Sequence, residues 1–399
     1  MISEDLYVVI SDKQKAVTER NIEGVKAAVL VHLYYEEQLD FYREYLEKIP
    51  YFVDIIIISS KDTILDYFTA DRFQKIKKEN RGRDISALLV AAKDVIFQYE
   101  YICFIHDKKE KIPNQKTYVD LWRRNLWDNM LQSEIYIYNV LEMFESDSRI
   151  GMVVPLPPHK GDAGRWLYAS WGPNYQNTCK LAHDLNITTD IAKESPPFTY
   201  STVFWGRTKI LEKLYLKDWK YTDFPDEPMR NDGEINHAIE RILQYLAEDA
   251  GCQVKIALSS AFAGYFISLL HDEMSGLWNK MGENFGIRTY QGLNNYHSRV
   301  KQVEEFSRQC SDIYLYGAGK VGRECLWICQ SLDIQPKGII VTKIEDALDK
   351  EIEGVPLISV CDVNLEPNIG IIVSVDNRWQ TEIAAELEKR NIYQYLLIE

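Results

Sequence analysis

Short apolar runs alternate with stretches of helical spacing through the first 270 residues, and this alternation limits the chain to few architectures. "KAAVLVHLYY" (26–35) has the character of a buried strand. "EEQLDFYREYLEKI" follows it, with Leu39, Tyr42, Leu46 and Ile49 on one helical face. "YFVDIIIISS" (51–60) is a second strand. "ISALLVAAKDVIFQY" (85–99) has the pattern of a helix with Asp84 or Ser86 at its N-cap, and "YEYICFIHDKK" (99–109) ends a third strand in charge. Strands separated by helices predict βαβ units, hence an α/β fold on a mostly parallel sheet.

The pattern continues through an amphipathic stretch at 122–146 that reads as one long helix or two. Next come a proline-stopped strand at 149–158 and a loop-rich segment at 157–200. Beyond these lie a strand running into a helix (201–214), an acidic loop leading into a helix (223–251), and a closing strand. A chain of 399 residues has room for two or three domains. Gly and Asn punctuation places a boundary near 270, giving a first domain at 1–270, a helical linker at 271–310 and a compact unit at 311–399. The last segment reads strand, helix, strand, strand, strand, helix, strand, which is a small doubly wound, Rossmann-like sheet.

Charge narrows the partners. The net charge of −14 argues against a broad nucleic-acid surface while leaving room for a local basic pocket. Seven scattered cysteines, with no second pair at zinc spacing, read as reduced thiols of a cytoplasmic protein. The first residues lack the pattern of a signal peptide, and no segment reaches the roughly 20 apolar residues of a membrane span. The expectation is a cytoplasmic protein, with peripheral contact at the inner face of a membrane left open.

Three short motifs carry charge to element ends. "NRGRD" (80–84) precedes a helix, "FIHDKK" (104–109) ends a strand, and "DGEINHAIER" (232–241) opens a helix behind an acidic loop. "VHLYY" (31–35), Trp122-Arg123, "IGMVVP" (150–155) and "VFWGR" (203–207) accompany them in order. Together these stretches resemble the rhamnan synthesis F family of bacterial polysaccharide glycosyltransferases over roughly residues 25 to 270. Family members usually read His-Thr-Lys-Lys where this chain has His106-Asp107-Lys108-Lys109, and Asp-Gly-Thr-Leu-Ala-His where it has "DGEINH".

The resemblance implies a GT-A-like core. Its implied reaction moves L-rhamnose or a related sugar, from a dTDP- or other NDP-sugar, onto a glycan or lipid-linked glycan. Such a reaction leaves a diphosphate whose growing negative charge must be stabilised. Many GT-A enzymes use Mg or Mn on two aspartates. Asp107 alone makes a poor cage for either ion, so the expectation is that no cofactor is required, with a divalent metal through Asp107 and water as the alternative.

Arg81, Gly82, Arg83, Asp84, Lys108 and Lys109 are expected at the carboxyl ends of strands, where open α/β sheets bind ligands, with His106 and His32 beside them. Arginine suits two-pronged phosphate contacts, and a helix start after Asp84 would add N–H donors. A solvated turn held by a salt bridge is the plainer reading of the Arg-Gly-Arg-Asp stretch. An inverting transfer also needs a base for the acceptor hydroxyl: Asp232 first, Glu227 second, with His237 a third candidate. Asp232 could instead cap the helix, and His237, Glu240 and Arg241 could form a structural network. Trp166 and Trp171, in the loop-rich stretch, are the expected acceptor contacts.

"IYLYGAGKVGREC" places Gly317, Gly319 and Gly322 between a strand and a helix, the context of a dinucleotide fingerprint. The ribose-binding acid expected about 20 residues on is absent, since Thr342-Lys343 stands there. The unit is therefore expected to serve assembly, as a homo-oligomer or with partner transferases, ahead of a catalytic role. The alternatives to a glycosyltransferase are an NAD(P)-linked sugar-nucleotide oxidoreductase centred on these glycines, and a non-catalytic nucleotide-sugar scaffold.

Overall fold

The computed structural model describes residues 6–109, 116–157, 171–194, 196–230, 232–285, 287, 289–342, 344, 350–363 and 368–398. The chain divides into two compact units, Met1–Leu269 and Leu270–Glu399.

The first unit is built on eight strands: β1 (Tyr7–Ile10), β2 (Ala27–His32), β3 (Val53–Ser59), β4 (Phe73–Lys77), β5 (Tyr101–His106), β6 (Ile150–Pro155), β7 (Phe204–Arg207) and β8 (Gln253–Ser259). Their order across the sheet is β1-β8-β6-β7-β5-β2-β3-β4. Every neighbouring pair is parallel except those made by β7, which runs antiparallel to both β5 and β6.

Both faces of this sheet are covered, which is why its central strands are apolar without a break. In β3, Ile56 and Ile58 enter one core while Ile55 and Ile57 enter the other. β5 divides the same way, with Ile102 and Phe104 on one side and Tyr101, Cys103 and Ile105 on the other. The helix Ile235–Asp249 covers the first face; Leu39–Leu46 and Glu134–Ser146 cover the second.

Three details differ from the sequence reading. The two edge strands stand outside that reading: β4 mixes polar and apolar positions, while β1 is apolar but only four residues long and mostly exposed. The helix expected over 85–99 is only Arg83–Ser86, followed by a wider π-turn, Ala87–Ala91, and a 3-10 turn, Ile96–Gln98. The wider turn keeps Ala87, Leu88 and Leu89 all buried. The closing strand stops at Ser259, where a helix, Ser260–Phe285, takes over.

The second unit has a six-stranded sheet of order β11-β12-β10-β9-β13-β14. Its strands are β9 (Asp312–Tyr316), β10 (Gly338–Val341), β11 (Glu351–Ile352), β12 (Val355–Ser359), β13 (Ile369–Val373) and β14 (Tyr395–Leu397). Only β11 is antiparallel. The residues anticipated as a linker include the helix Tyr290–Ser307, whose Val303 is fully buried in this unit's own core. Among the described residues no helix is long and apolar enough to cross a membrane.

Candidate active site

β2 and β5 lie side by side and end in register on two histidines, His32 opposite His106. The chain after β4 brings a third group, Asp84, whose Oδ2 lies 3.9 Å from His106 Nε2. His106 is held by two carbonyl oxygens, Nδ1 at 2.8 Å from that of Asp107 and Nε2 at 2.6 Å from that of Ser201. A neutral imidazole has one N–H and can satisfy only one of them.

This cluster is electrostatically set. Burial, with Lys78 adding to it, pushes the His32 imidazole down to about 3, against the pull of Asp84. Burial works most strongly against ionisation of Asp84, but neighbouring positive charge, a backbone hydrogen bond and the Lys108 ammonium together hold the carboxyl below its usual range. Asp107 is pushed up to about 6 by burial, although its Oδ2 accepts N–H bonds from Tyr34 at 2.6 Å and Tyr35 at 2.7 Å. That oxygen is thus already committed to the backbone. Among the described residues no group of three or more His, Cys, Asp or Glu side chains is placed to hold a metal ion.

The turn between β4 and Asp84 is shaped by two successive left-handed residues, Gly82 at φ 72° and Arg83 at φ 48°. A Cβ on Gly82 would lie 2.7 Å from the Phe224 ring and 2.8 Å from Ser86 Cβ, so only glycine fits. Asn236, at the start of the helix Ile235–Asp249, donates to the Gly82 carbonyl at 2.8 Å and ties that helix to the turn.

Neither Asp84 nor Ser86 caps a helix here. Gly82 occupies the N-cap, Asp84 faces His106, and the Ser86 hydroxyl donates back to the carbonyls of Arg81 and Arg83. The four-residue helix that follows is too short to serve as the anion site expected of a helix start.

Both arginines reach the acidic loop. Arg81 donates to the Phe224 carbonyl at 2.7 Å and pairs with Asp226 at 2.8 Å. Arg83 takes both Glu227 carboxylate oxygens, at 3.0 and 3.2 Å, and the Met229 carbonyl at 3.2 Å. The turn is therefore salt-bridged to the acidic loop. Glu227, expected as a reserve base, is here an arginine partner.

The lysines divide. The Lys108 ammonium stacks over the Trp122 ring at 3.7 Å, while Lys109 pairs with Glu37 on the surface. One basic residue escaped the sequence reading: Lys78, just past β4, is 5 % exposed and donates to the carbonyls of Glu79 at 2.7 Å and Arg81 at 3.3 Å. Burial pulls its ammonium down to about 8, with Asp84 and Glu227 opposing. It hid in the polar run "KIKKEN", where nothing in the sequence separates the buried lysine from its exposed neighbours.

The rhamnan synthesis protein F family matches residues 2–252, close to the whole of the first unit. The chain belongs to that family. Membership gives it a transferase-type role in polysaccharide synthesis. No curated protein matches the chain.

In this rhamnan synthesis F protein the remaining expected site residues separate into exposed and structural ones. Asp232 is exposed, and its Oδ1 accepts from Asn174 Nδ2 at 2.6 Å and Gly233 N at 2.9 Å. It caps nothing, because Glu234 is the N-cap of the helix Ile235–Asp249. His237 Nδ1 accepts the Glu234 N–H at 3.2 Å and closes that cap. Arg241 pairs with Glu240 and lies over the Tyr200 ring at 4.4 Å, so the structural network holds those two without His237.

Trp171 is a core residue, 5 % exposed, stacked on Tyr245 and edge-on to Tyr175, so it offers no face to a glycan. Trp166 lies outside the described residues.

In the second unit the three glycines follow the needs of a tight strand-to-helix turn. Gly317 adopts φ 118°, and a Cβ on Gly322 would lie 1.9 Å from the Gly317 carbonyl oxygen. Gly319, the N-cap of the helix Lys320–Ser331, has open space where its Cβ would be.

Proposed function

We propose that this chain is an inverting glycosyltransferase of polysaccharide synthesis with a GT-A-like first unit. It takes L-rhamnose or a related sugar from a dTDP- or other NDP-sugar. The observation that carries this reading is the gathering of Lys78, Arg81, Arg83 and Lys108 just beyond the carboxyl ends of β4 and β5, around the buried His32 and His106 and the half-buried Asp84. Ligands of open α/β sheets bind at such strand ends, and a row of cations there suits a diphosphate.

In this reading Arg81 and Arg83 grip the diphosphate, and Lys78 and Lys108 supply further positive charge as it leaves. The acceptor oxygen forms a bond to the anomeric carbon while the bond from that carbon to the phosphate oxygen breaks. The acceptor proton passes to Asp232, whose exposed carboxylate is steadied by Asn174. The cations take the part that a metal plays in many GT-A enzymes, and Asp107 is left to hold the Tyr34–Tyr35 backbone.

The donor and a glycan or lipid-linked glycan acceptor would meet at the cytoplasmic face of a membrane. The second unit would serve assembly, with copies of itself or with other transferases.

A donor-hydrolysis screen across nucleotide sugars, with and without EDTA, tests the proposal. Release of a nucleoside diphosphate in both conditions is expected. Hydrolysis of none of them, with calorimetric binding of NAD but neither dTDP nor UDP, would overturn it; loss of activity in EDTA alone would overturn the metal-free part.

A further inference from the structure

The two arginines of the turn are not shared among scattered partners. Every guanidinium contact described above runs to one loop, residues 224–229. Its near end is fixed, because Phe224 is buried and stacked on Trp219 with ring centroids 5.7 Å apart. Between Phe224 and Met229, which is also buried, the loop comes to the surface, and the Asp226 side chain is 84 % exposed. Only there do consecutive carboxylates meet the arginines, Asp226 on Arg81 and Glu227 on Arg83.

Two anionic groups one residue apart, on two cations two residues apart, reproduce the charge pattern of a diphosphate on that pair. The geometry on Arg83 is the two-pronged one that guanidinium groups use for both carboxylates and phosphates. Ion pairs exposed to this extent are individually weak, so a ligand carrying more charge on adjacent groups can displace them.

We infer that the loop 225–229 is an internal occupant of the anion site: Asp226 and Glu227 hold Arg81 and Arg83 in the donor-free protein and give them up to the donor's diphosphate. The exposed segment between the buried Phe224 and Met229 shifts when this happens. The inference rests on the reading of this strand-end crevice as the diphosphate site. It adds that binding there is a competition within the chain, which keeps stray monovalent anions off the arginines.

The test uses the full chain and an Asp226→Asn/Glu227→Gln double variant, titrated calorimetrically with inorganic pyrophosphate, dTDP and UDP. Hydrogen exchange of 225–229 is followed alongside. The double variant is expected to bind pyrophosphate at least tenfold more tightly, and pyrophosphate is expected to speed exchange in the wild-type loop. A single Glu227→Gln variant, expected to show part of the gain, covers the case of a double variant that fails to fold. Unchanged or weaker pyrophosphate binding in the variants, with no change in loop exchange, would mean that the carboxylates only brace the turn, and the inference would fall. If dTDP and UDP bind wild type and variants alike, the inference falls while the glycosyltransferase reading stands. If pyrophosphate shows the expected gain but no nucleotide binds, the competition stands and the nucleotide-sugar reading falls.

Discussion

Arg83 holds Glu227 by two parallel hydrogen bonds, Nε to Oε1 at 3.0 Å and Nη2 to Oε2 at 3.2 Å, across 144 residues of chain. A lysine at this position would keep the charge and lose the fork. Each side chain of the pair is 30 % exposed, so the pair itself contributes little to stability, about 0–1 kcal/mol. Arg83→Lys should therefore leave the melting temperature nearly unchanged. Nucleoside diphosphate affinity should fall roughly tenfold, the loss of about 1.4 kcal/mol expected for one charge-assisted contact. Calorimetry and a thermal melt on the same preparation check both halves.

Gly82 and Gly251 share the same φ, 72°, and differ in surroundings. Nothing lies within 4 Å of a Cβ built on Gly251, whereas on Gly82 it meets Phe224 and Ser86 at 2.7 and 2.8 Å. Gly251→Ala should cost about 1 to 2 kcal/mol, the left-handed penalty alone. Gly82→Ala should cost that plus an overpacking term of about 1 to 3 kcal/mol, and should weaken diphosphate binding because the turn must shift. Denaturant unfolding of the two variants isolates the packing term by difference.

His32 gives the site a pH signature. Its folded-state value of about 3 lies below the ordinary 6.5, so the ring stays neutral in the fold while the unfolded chain takes up a proton. The stability it contributes is complete above pH 6.5 and is lost as pH falls from there toward 3. Asp107 acts with the opposite sign: raised to about 6 from 3.8, it contributes stability that is lost as pH rises through 6. Comparing wild type with His32→Gln cancels the Asp107 contribution, which both proteins share. The stability difference should shrink by about 1.4 kcal/mol per pH unit below 6.5. A difference that is flat with pH would mean that His32 charges freely in the fold.

What could be read before the structure divides along physical lines. The central strands β2, β3 and β5 were legible because burial on both faces forces an unbroken apolar run, and the histidines at two of their ends came with them. β4 is an edge strand with exposed positions, so its period was hidden, and with it the burial of Lys78. The arginine turn was legible as a charged motif. Its partners were not, because Asp226 and Glu227 lie more than 140 residues away and no local spacing joins them to Arg81 and Arg83. Trp171 fell to the core for the same reason: local composition marked its segment as loop, and only the packing on Tyr245 shows which way the indole faces.

Asp232 and His237 were both candidates for proton transfer, and the structure gives them different work. His237 Nδ1 is spent on the Glu234 N–H, so His237→Ala should cost a helix cap, about 1 kcal/mol of stability, and leave turnover largely intact. Asp232 caps nothing, and its Oδ1 takes hydrogen bonds from Asn174 and Gly233 that an amide oxygen can also accept. Asp232→Asn should therefore fold as wild type and bind donor with unchanged affinity. With its basic carboxylate gone, kcat for transfer should fall by about 10²- to 10⁴-fold, the usual contribution of a general base. Donor KM should stay constant, which separates loss of a base from loss of binding. Steady-state assays with the donor identified by hydrolysis give both constants, and full turnover by Asp232→Asn would remove this carboxylate from the mechanism.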